Sequence, residues 1–148
     1  MSINILKIIP TDPSYIPGNI YQQKAKIYLS KIFNQEEIEF EITDTIEFID
    51  QGSNFESVSC NFCGTCIETT AWQDAMDSAY EKNFINLSFT SPCCNKQTSL
   101  NDLNYIWPAG FAKFVINISD AQHKIDVNDL KDLQEFLGTP LRVIIAHY

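Results

Sequence analysis

All five cysteines of this 148-residue chain fall between positions 60 and 94, in two groups. Cys60, Cys63 and Cys66 form the first, and the adjacent pair Cys93 and Cys94 forms the second. A cytosolic chain has little use for disulfides, so such clustering points to metal or redox chemistry. The segment Ser59-Cys60-Asn61-Phe62-Cys63-Gly64 has the form of a zinc knuckle. Two thiolates at this spacing turn back onto one ion, while the glycine permits a positive φ and leaves backbone amides free to donate to sulfur.

The run Ser91-Pro92-Cys93-Cys94-Asn95 reads as the second knuckle, with Asn95 where a glycine often sits. Asparagine also tolerates the left-handed region. A regular knuckle would carry cysteine at position 91, where this chain has Ser91. The first choice of ligands is therefore Cys60, Cys63, Cys93 and Cys94, and the second replaces Cys93 with Cys66. Twenty-nine residues separate Cys63 from Cys93, more than the roughly 15–20 common in ribbons. A helix over about 70–83 accounts for the excess. Four thiolates with no vacancy make a structural Zn²⁺ site. Two other readings of the cysteines are plain packing as small hydrophobes and a Cys63–Cys66 redox pair.

The flanks spell a fold. Residues 3–9 read as a strand, and the proline-rich stretch 10–19 as a loop. Tyr21, Ala25, Tyr28, Leu29, Ile32 and Phe33 recur at helical spacing behind Asn19 as N-cap. Glu37 to Asp50 follows as a bent strand or hairpin interrupted at Asp44. At the other end Phe111 to Ser119 reads as a strand with Ala112, Phe114, Ile116 and Ile118 on one face. Val127, Leu130, Leu133 and Leu137 mark a helix begun by Asp126 and stopped by Gly138 and Pro140. Leu141 to Tyr148 is a final strand. Two β-α-β units around a central insertion predict an α+β fold, a ferredoxin-like split β-α-β sandwich with a mixed or antiparallel sheet. Its discontinuous scaffold is 1–57 and 106–148, and 58–105 is a zinc-ribbon-like insertion. Within the insertion Trp72, Ala75, Met76, Ala79 and Tyr80 form a helical core stripe behind a Thr70–Gln73 capping box. Phe84 to Thr90 reads as a strand leading into the second knuckle.

Ten basic residues against nineteen acidic ones give a net charge of −9. Twelve of the acids lie between Lys31 and Lys82 without one intervening positive charge, eight of them within Glu36 to Glu56. Arg142 is the chain's one arginine. This balance disfavours binding of nucleic acid, which relies on lysine and arginine to displace counterions. No run of about 18 apolar residues predicts a membrane span. The first ten residues lack a basic region and a small-residue cleavage site, so the expected compartment is the cytoplasm. Glu39, Glu41 and Glu47 alternate with apolar residues. They read either as the wet face of a half-buried strand or as an interaction face for a basic protein partner.

The run Ser57-Val58-Ser59-Cys60-x-x-Cys63-Gly64, then Pro92-Cys93-Cys94, then Thr98 to Tyr105 and Trp107-Pro108-Ala109-Gly110-Phe111-Ala112, resembles a family of uncharacterised bacterial proteins. The resemblance implies a small cytoplasmic protein with a zinc-ribbon-like insertion, and it brings no activity with it.

Catalysis needs a nucleophile, a base or an open metal position in mutual reach. His123 and His147 each stand alone in their segments, and Cys66 has no histidine nearby. The zinc deaminase pattern is missing its glutamate and its Pro-Cys-x-x-Cys spacing. No phosphate loop, dinucleotide fingerprint or nucleophile elbow is present. The expectation is thus a non-catalytic, zinc-binding interaction module, in a specific version an immunity or inhibitor protein with an acidic docking face. The alternatives are a thiol-based redox or metal sensor that releases zinc on oxidation, and an enzyme with a pocket near Asp102, Tyr105 and Trp107.

Overall fold

The long strands belong to the chain's ends and the short ones to its middle. The computed structural model describes residues 3–119 and 125–148. The N-terminal part contains β1 (Asn4–Pro10), α1 (Asn19–Ser30), one 3-10 turn at Gln35–Glu37 and β2 (Ile38–Ile49). The middle contains β3 (Ser57–Ser59), α2 (Thr69–Glu81), β4 (Ser88–Thr90), β5 (Gln97–Ser99) and β6 (Asn104–Ile106). The C-terminal part contains β7 (Gly110–Ser119), α3 (Val127–Leu137) and β8 (Leu141–His147). The chain is thus mixed α+β, with antiparallel sheets.

The two outer parts interleave. Their four strands form one sheet in the order β2-β7-β1-β8, and each neighbouring pair is antiparallel. Helices α1 and α3 pack against each other, and their buried residues Ala25, Leu29, Leu133 and Leu137 share a core with Leu6, Ile8, Phe114, Ile116 and Ile118. Each fully buried aliphatic side chain there contributes about 1.5–3 kcal/mol. Strand β7 is buried along both faces, as a central strand requires. Behind it, Ile9, Ile49, Ala112, Val115 and Ile144 form a smaller cluster, so Ala112 packs away from the residues with which the alternation grouped it.

Several local expectations are corrected. Gly18, not Asn19, is the N-cap of α1, because the helix already includes Asn19. Likewise α2 begins at Thr69 behind Glu68 with no side-chain cap, so Thr70 lies inside the first turn and forms no capping box. Asp126 does cap α3, its carboxylate accepting from the Asp129 N–H at 2.8 Å, and Gly138 ends the helix at φ +72°. Tyr21, Tyr80 and Val127 extend the apolar stripes into solvent. Only Ser88–Thr90 of the expected strand 84–90 is extended. Asn83 and Phe84 instead turn through positive φ, and Phe84 is anchored by burial.

The middle region enters and leaves through β3 and β6, which pair with each other. Its core does not close on itself. Val58, Ile67, Trp72, Phe84, Leu100, Leu103 and Tyr105 pack with Phe111 of β7, and Phe48 of β2 joins them. The Trp72 ring meets Phe48 edge-on at 6.0 Å and stacks on Phe55 at 5.4 Å. Its N–H donates to the Tyr105 hydroxyl at 3.3 Å. The stripe led by Trp72 is therefore core.

On the face of the sheet that also carries Ile9, buried Lys7 donates to the Asp50 carbonyl at 2.9 Å and to the Tyr148 hydroxyl, and it pairs with the Asp50 carboxylate at 3.3 Å. Burial opposes the Asp50 charge, yet the Lys7 ammonium, the Tyr148 hydroxyl and the Gly52 N–H hold its pKa below the ordinary value. Because folding lowers this pKa, the stabilisation is present above the ordinary carboxylate value of about 4 and is lost as pH falls through the lower folded value. Asp50 is partly exposed, so Asp50→Asn should cost only about 1 kcal/mol at neutral pH. Denaturant melts from pH 7 downward should show the variant and the natural chain converging below about pH 4.

Candidate metal centre

Two turns of the same construction face each other in the middle region. In the first, the Cys60 N–H donates to the Thr65 carbonyl at 2.9 Å and the Gly64 N–H to the Cys60 carbonyl at 3.0 Å. In the second, the Ser91 N–H donates to the Lys96 carbonyl at 2.9 Å and the Asn95 N–H to the Ser91 carbonyl at 2.8 Å. The pattern equates 60 with 91, 63 with 94, 64 with 95 and 65 with 96. Gly64 and Asn95 occupy matching positions at φ +75° and +61°, the left-handed conformation that asparagine adopts more readily than most side chains. The β4–β5 hairpin carries the second turn, and a bridge between Ser59 and Cys66 closes the first.

The sulfurs of Cys60, Cys63, Cys93 and Cys94 all lie within 4.8 Å of one another. Cys60 and Cys94 are 3.7 Å apart, and Cys63 and Cys93 are 3.1 Å apart. A tetrahedral ion with metal–sulfur bonds of about 2.3 Å needs sulfurs separated by about 3.8 Å. Cys66 stands outside this group. It pairs with Ser59 across the bridge, and cross-strand partners share a side while neighbours alternate. Its side chain therefore belongs to the side opposite Cys60.

The surroundings of the sulfurs are uneven. Cys60 is fully buried, Cys94 half-buried, and Cys63 and Cys93 are exposed. The Phe62 N–H donates to the Cys60 sulfur at 3.4 Å. The Ser91 hydroxyl, also fully buried, lies 3.0 Å from the Cys93 sulfur, and the Thr65 hydroxyl lies 3.3 Å from Cys63. Hydrogen bonding from Ser91 and from backbone N–H groups pulls the Cys60 thiol down to about 6. Thr65 likewise lowers Cys63. Ser91 also pulls on Cys93, but Cys63, burial and the other two sulfurs outweigh it and push Cys93 up to about 11. The four thiols cannot all ionise in each other's company, and a cation at their centre removes that conflict.

The sequence marked Ser91 only as a missing cysteine. Its role as a buried donor to the sulfurs was not legible, because it depends on the first knuckle lying opposite. Thr65 was missed altogether, although a hydroxyl two residues past Cys63 was the available signal.

The other singled-out residues lie apart from the sulfurs. Glu39 and Glu41 are exposed on edge strand β2, opposite Asn117 and Val115 of β7. The Asn117 amide donates to Glu41 at 3.2 Å. Between Ile42 and Glu47 the register shifts, and Glu47 pairs with Ala112. Val115 and Ala112 nevertheless pack in one cluster with Ile9 and Ile49, so the irregularity leaves Glu47 on the same face of the sheet as Glu39 and Glu41. The three glutamates therefore share one side of this edge strand. His147 is hydrogen-bonded to the Asn4 side chain at 2.6 Å, and His123 lies outside the described residues. Asp102 sits exposed in a turn, its N–H donating to the Ser99 carbonyl at 2.9 Å. Tyr105 is buried, and the Trp107 carbonyl accepts from Gln51 at 2.8 Å. Asp102 and Tyr105 line an open cleft of about 560 Å³ beside the first knuckle.

Among the described residues no helix is long and apolar enough to cross a membrane. Comparison with family models, with curated proteins and with solved structures finds no match to this chain.

The equivalence of the two turns makes a sharp expectation. Cys93→Ser should abolish metal binding, while Ser91→Cys added to it should restore about one ion per chain by rebuilding a regular second knuckle. Elemental mass spectrometry of both purified variants measures this. A double variant as empty as the single one would contradict the equivalence.

Proposed function

We propose that this chain is a zinc-binding, non-catalytic protein-interaction module of the bacterial cytoplasm. The observation that carries the reading is the convergence of Cys60, Cys63, Cys93 and Cys94 within 4.8 Å. The ion is read as Zn²⁺ because four thiolates in tetrahedral spacing suit it, and a full sulfur shell suits structure over catalysis. In this reading residues 58–105 are a zinc-ribbon-like insertion in a ferredoxin-like split β-α-β scaffold. The order β2-β7-β1-β8, with both helices packed together, supports the scaffold. The resemblance to uncharacterised bacterial proteins supports the cytoplasmic setting.

The test is metal content. Tag-free protein should hold about one zinc per chain, and Cys60→Ser and Cys94→Ser should each lose it. Structural zinc in finger peptides contributes on the order of 10 kcal/mol. Chelation should therefore release amide protection across 57–67 and 88–99, read by hydrogen exchange, before the four-stranded sheet opens. Protein purified under reducing conditions without chelator and without metal would end the reading.

For the interaction, the acidic face of the edge strand, Glu39, Glu41 and Glu47, is read as the docking surface for a basic protein of immunity or inhibitor type. Electrostatic steering makes such an association fast at low salt. A partner retained at low salt, released at high salt and lost on charge reversal of Glu39 and Glu41 is expected. A partner indifferent to that reversal would remove the electrostatic version.

A redox-sensing reading draws on the exposure of Cys63 and Cys93, the two sulfurs nearest each other. Peroxide would oxidise this pair to a disulfide, forming two waters and expelling the ion. Zinc retained through peroxide treatment would exclude it.

A further inference from the structure

Arg142, the chain's single arginine, is half-buried where β8 meets the middle region. Its Nη1 is fully committed. It donates to the Asn101 carbonyl at 2.9 Å, to the Asn101 side-chain oxygen at 3.1 Å and to the Ala109 carbonyl at 3.0 Å. Asn101 is itself buried and held in place. Its amide nitrogen donates to the Thr11 carbonyl at 2.9 Å, and its oxygen accepts from the Phe111 N–H at 3.1 Å. Gly110 leaves the space this requires, since a Cβ there would stand 2.8 Å from Nη1.

One nitrogen thus fixes the guanidinium and the other two are left over. Among the described residues, Nε and Nη2 have no hydrogen-bond partner, and no carboxylate forms an ion pair with Arg142. No described buried side-chain nitrogen lacks a partner, so Nε and Nη2 remain open to solvent. These two nitrogens form one edge of the planar group, the edge that binds a carboxylate bidentately. Arg142 lines the cleft of about 560 Å³, together with Leu103, Ile106, Pro108 and Val143. That volume lies in the range of small-molecule sites, which combine apolar walls with a few placed polar groups.

We propose that this cleft binds a monocarboxylate with an apolar body, its carboxylate taken by the free edge of Arg142. The apolar walls hold the body. Asp102, also lining the cleft, and the chain's net charge of −9 disfavour a second negative charge on the ligand. The carboxylate belongs either to a free organic acid or to the C-terminus of a peptide. The proposal stands apart from the metal reading, because the sulfurs take no part in it.

The experiment is a ¹⁵N–¹H NMR titration of the full, metal-replete chain with phenylacetate, with its neutral isostere phenylacetamide, with inorganic phosphate, and with a short peptide ending in leucine, as acid and as amide. Saturable shifts of the Asn104, Ala109 and Val143 amides are expected with a carboxylate, and at least about tenfold weaker binding with its amide, since the interaction lost is charge-assisted. Phenylacetate binding identifies a free acid as the source, and binding by the peptide acid alone identifies a chain terminus. Arg142→Lys keeps the charge but removes the fork, and it should weaken binding at least about tenfold. Arg142 also staples the middle region, so Asp102→Asn at the exposed rim provides a second variant, which should tighten carboxylate binding severalfold and leave the amides unchanged. Absence of saturable shifts with either carboxylate, equal binding by the amides, tighter binding of phosphate, or indifference to both substitutions would overturn the proposal.

Discussion

Four thiols brought within 4.8 Å of one another are the constraint around which the middle of this chain is arranged. Crowded sulfurs resist joint ionisation, and each hydrogen bond from Ser91, Thr65 and the Phe62 N–H favours the ionised form of one of them. A divalent cation satisfies the whole set at once. The strands around it, β4 and β5 above all, are three residues each and too short for independent stability. The aromatic core below supplies packing that so short a ladder lacks.

That core explains how the cysteine-bearing middle region stays fixed to the four-stranded sheet. Phe48 and Phe111 belong to the four-stranded sheet, yet both pack in the cluster with Trp72 and Tyr105. Tyr105 donates to the Leu100 carbonyl and accepts from Trp72, so the polar atoms of this buried cluster are paired. Arg142 adds a polar staple from β8 to the turn at Asn101 and to Ala109. The middle region therefore shares an apolar cluster and a hydrogen-bond network with strands of the sheet. The cleft lies along this shared boundary, a common place for ligand sites.

Much of the architecture was legible as pattern. The β-α-β order at each end follows from periodicity, and Asp126 and Gly138 bound α3 as their chemistry dictates. Helix starts were less legible. Asn19 and Thr70 are good caps by composition, but Asn19 lies one position and Thr70 two positions past the N-caps Gly18 and Glu68. The strand expected over 84–90 failed for a tertiary reason. Burial of Phe84 against Phe111, at 5.2 Å between rings, holds the chain in a positive-φ turn that its β-propensity opposes.

By itself the sequence determined that two cysteine-bearing turns exist, that Gly64 and Asn95 allow them to close, and that helices and strands alternate at both ends. These are properties of a few adjacent residues, and local sterics and local hydrogen bonds decide them. The tertiary structure alone decided that Cys93 joins the sulfurs while Cys66 does not, that Glu47 stays on the side of Glu39 and Glu41 across a register shift in β2, and that Arg142 keeps one edge free beside a cleft. Each depends on segments tens of residues apart meeting in one register, and pairing across such distances is not written in the spacing of either partner.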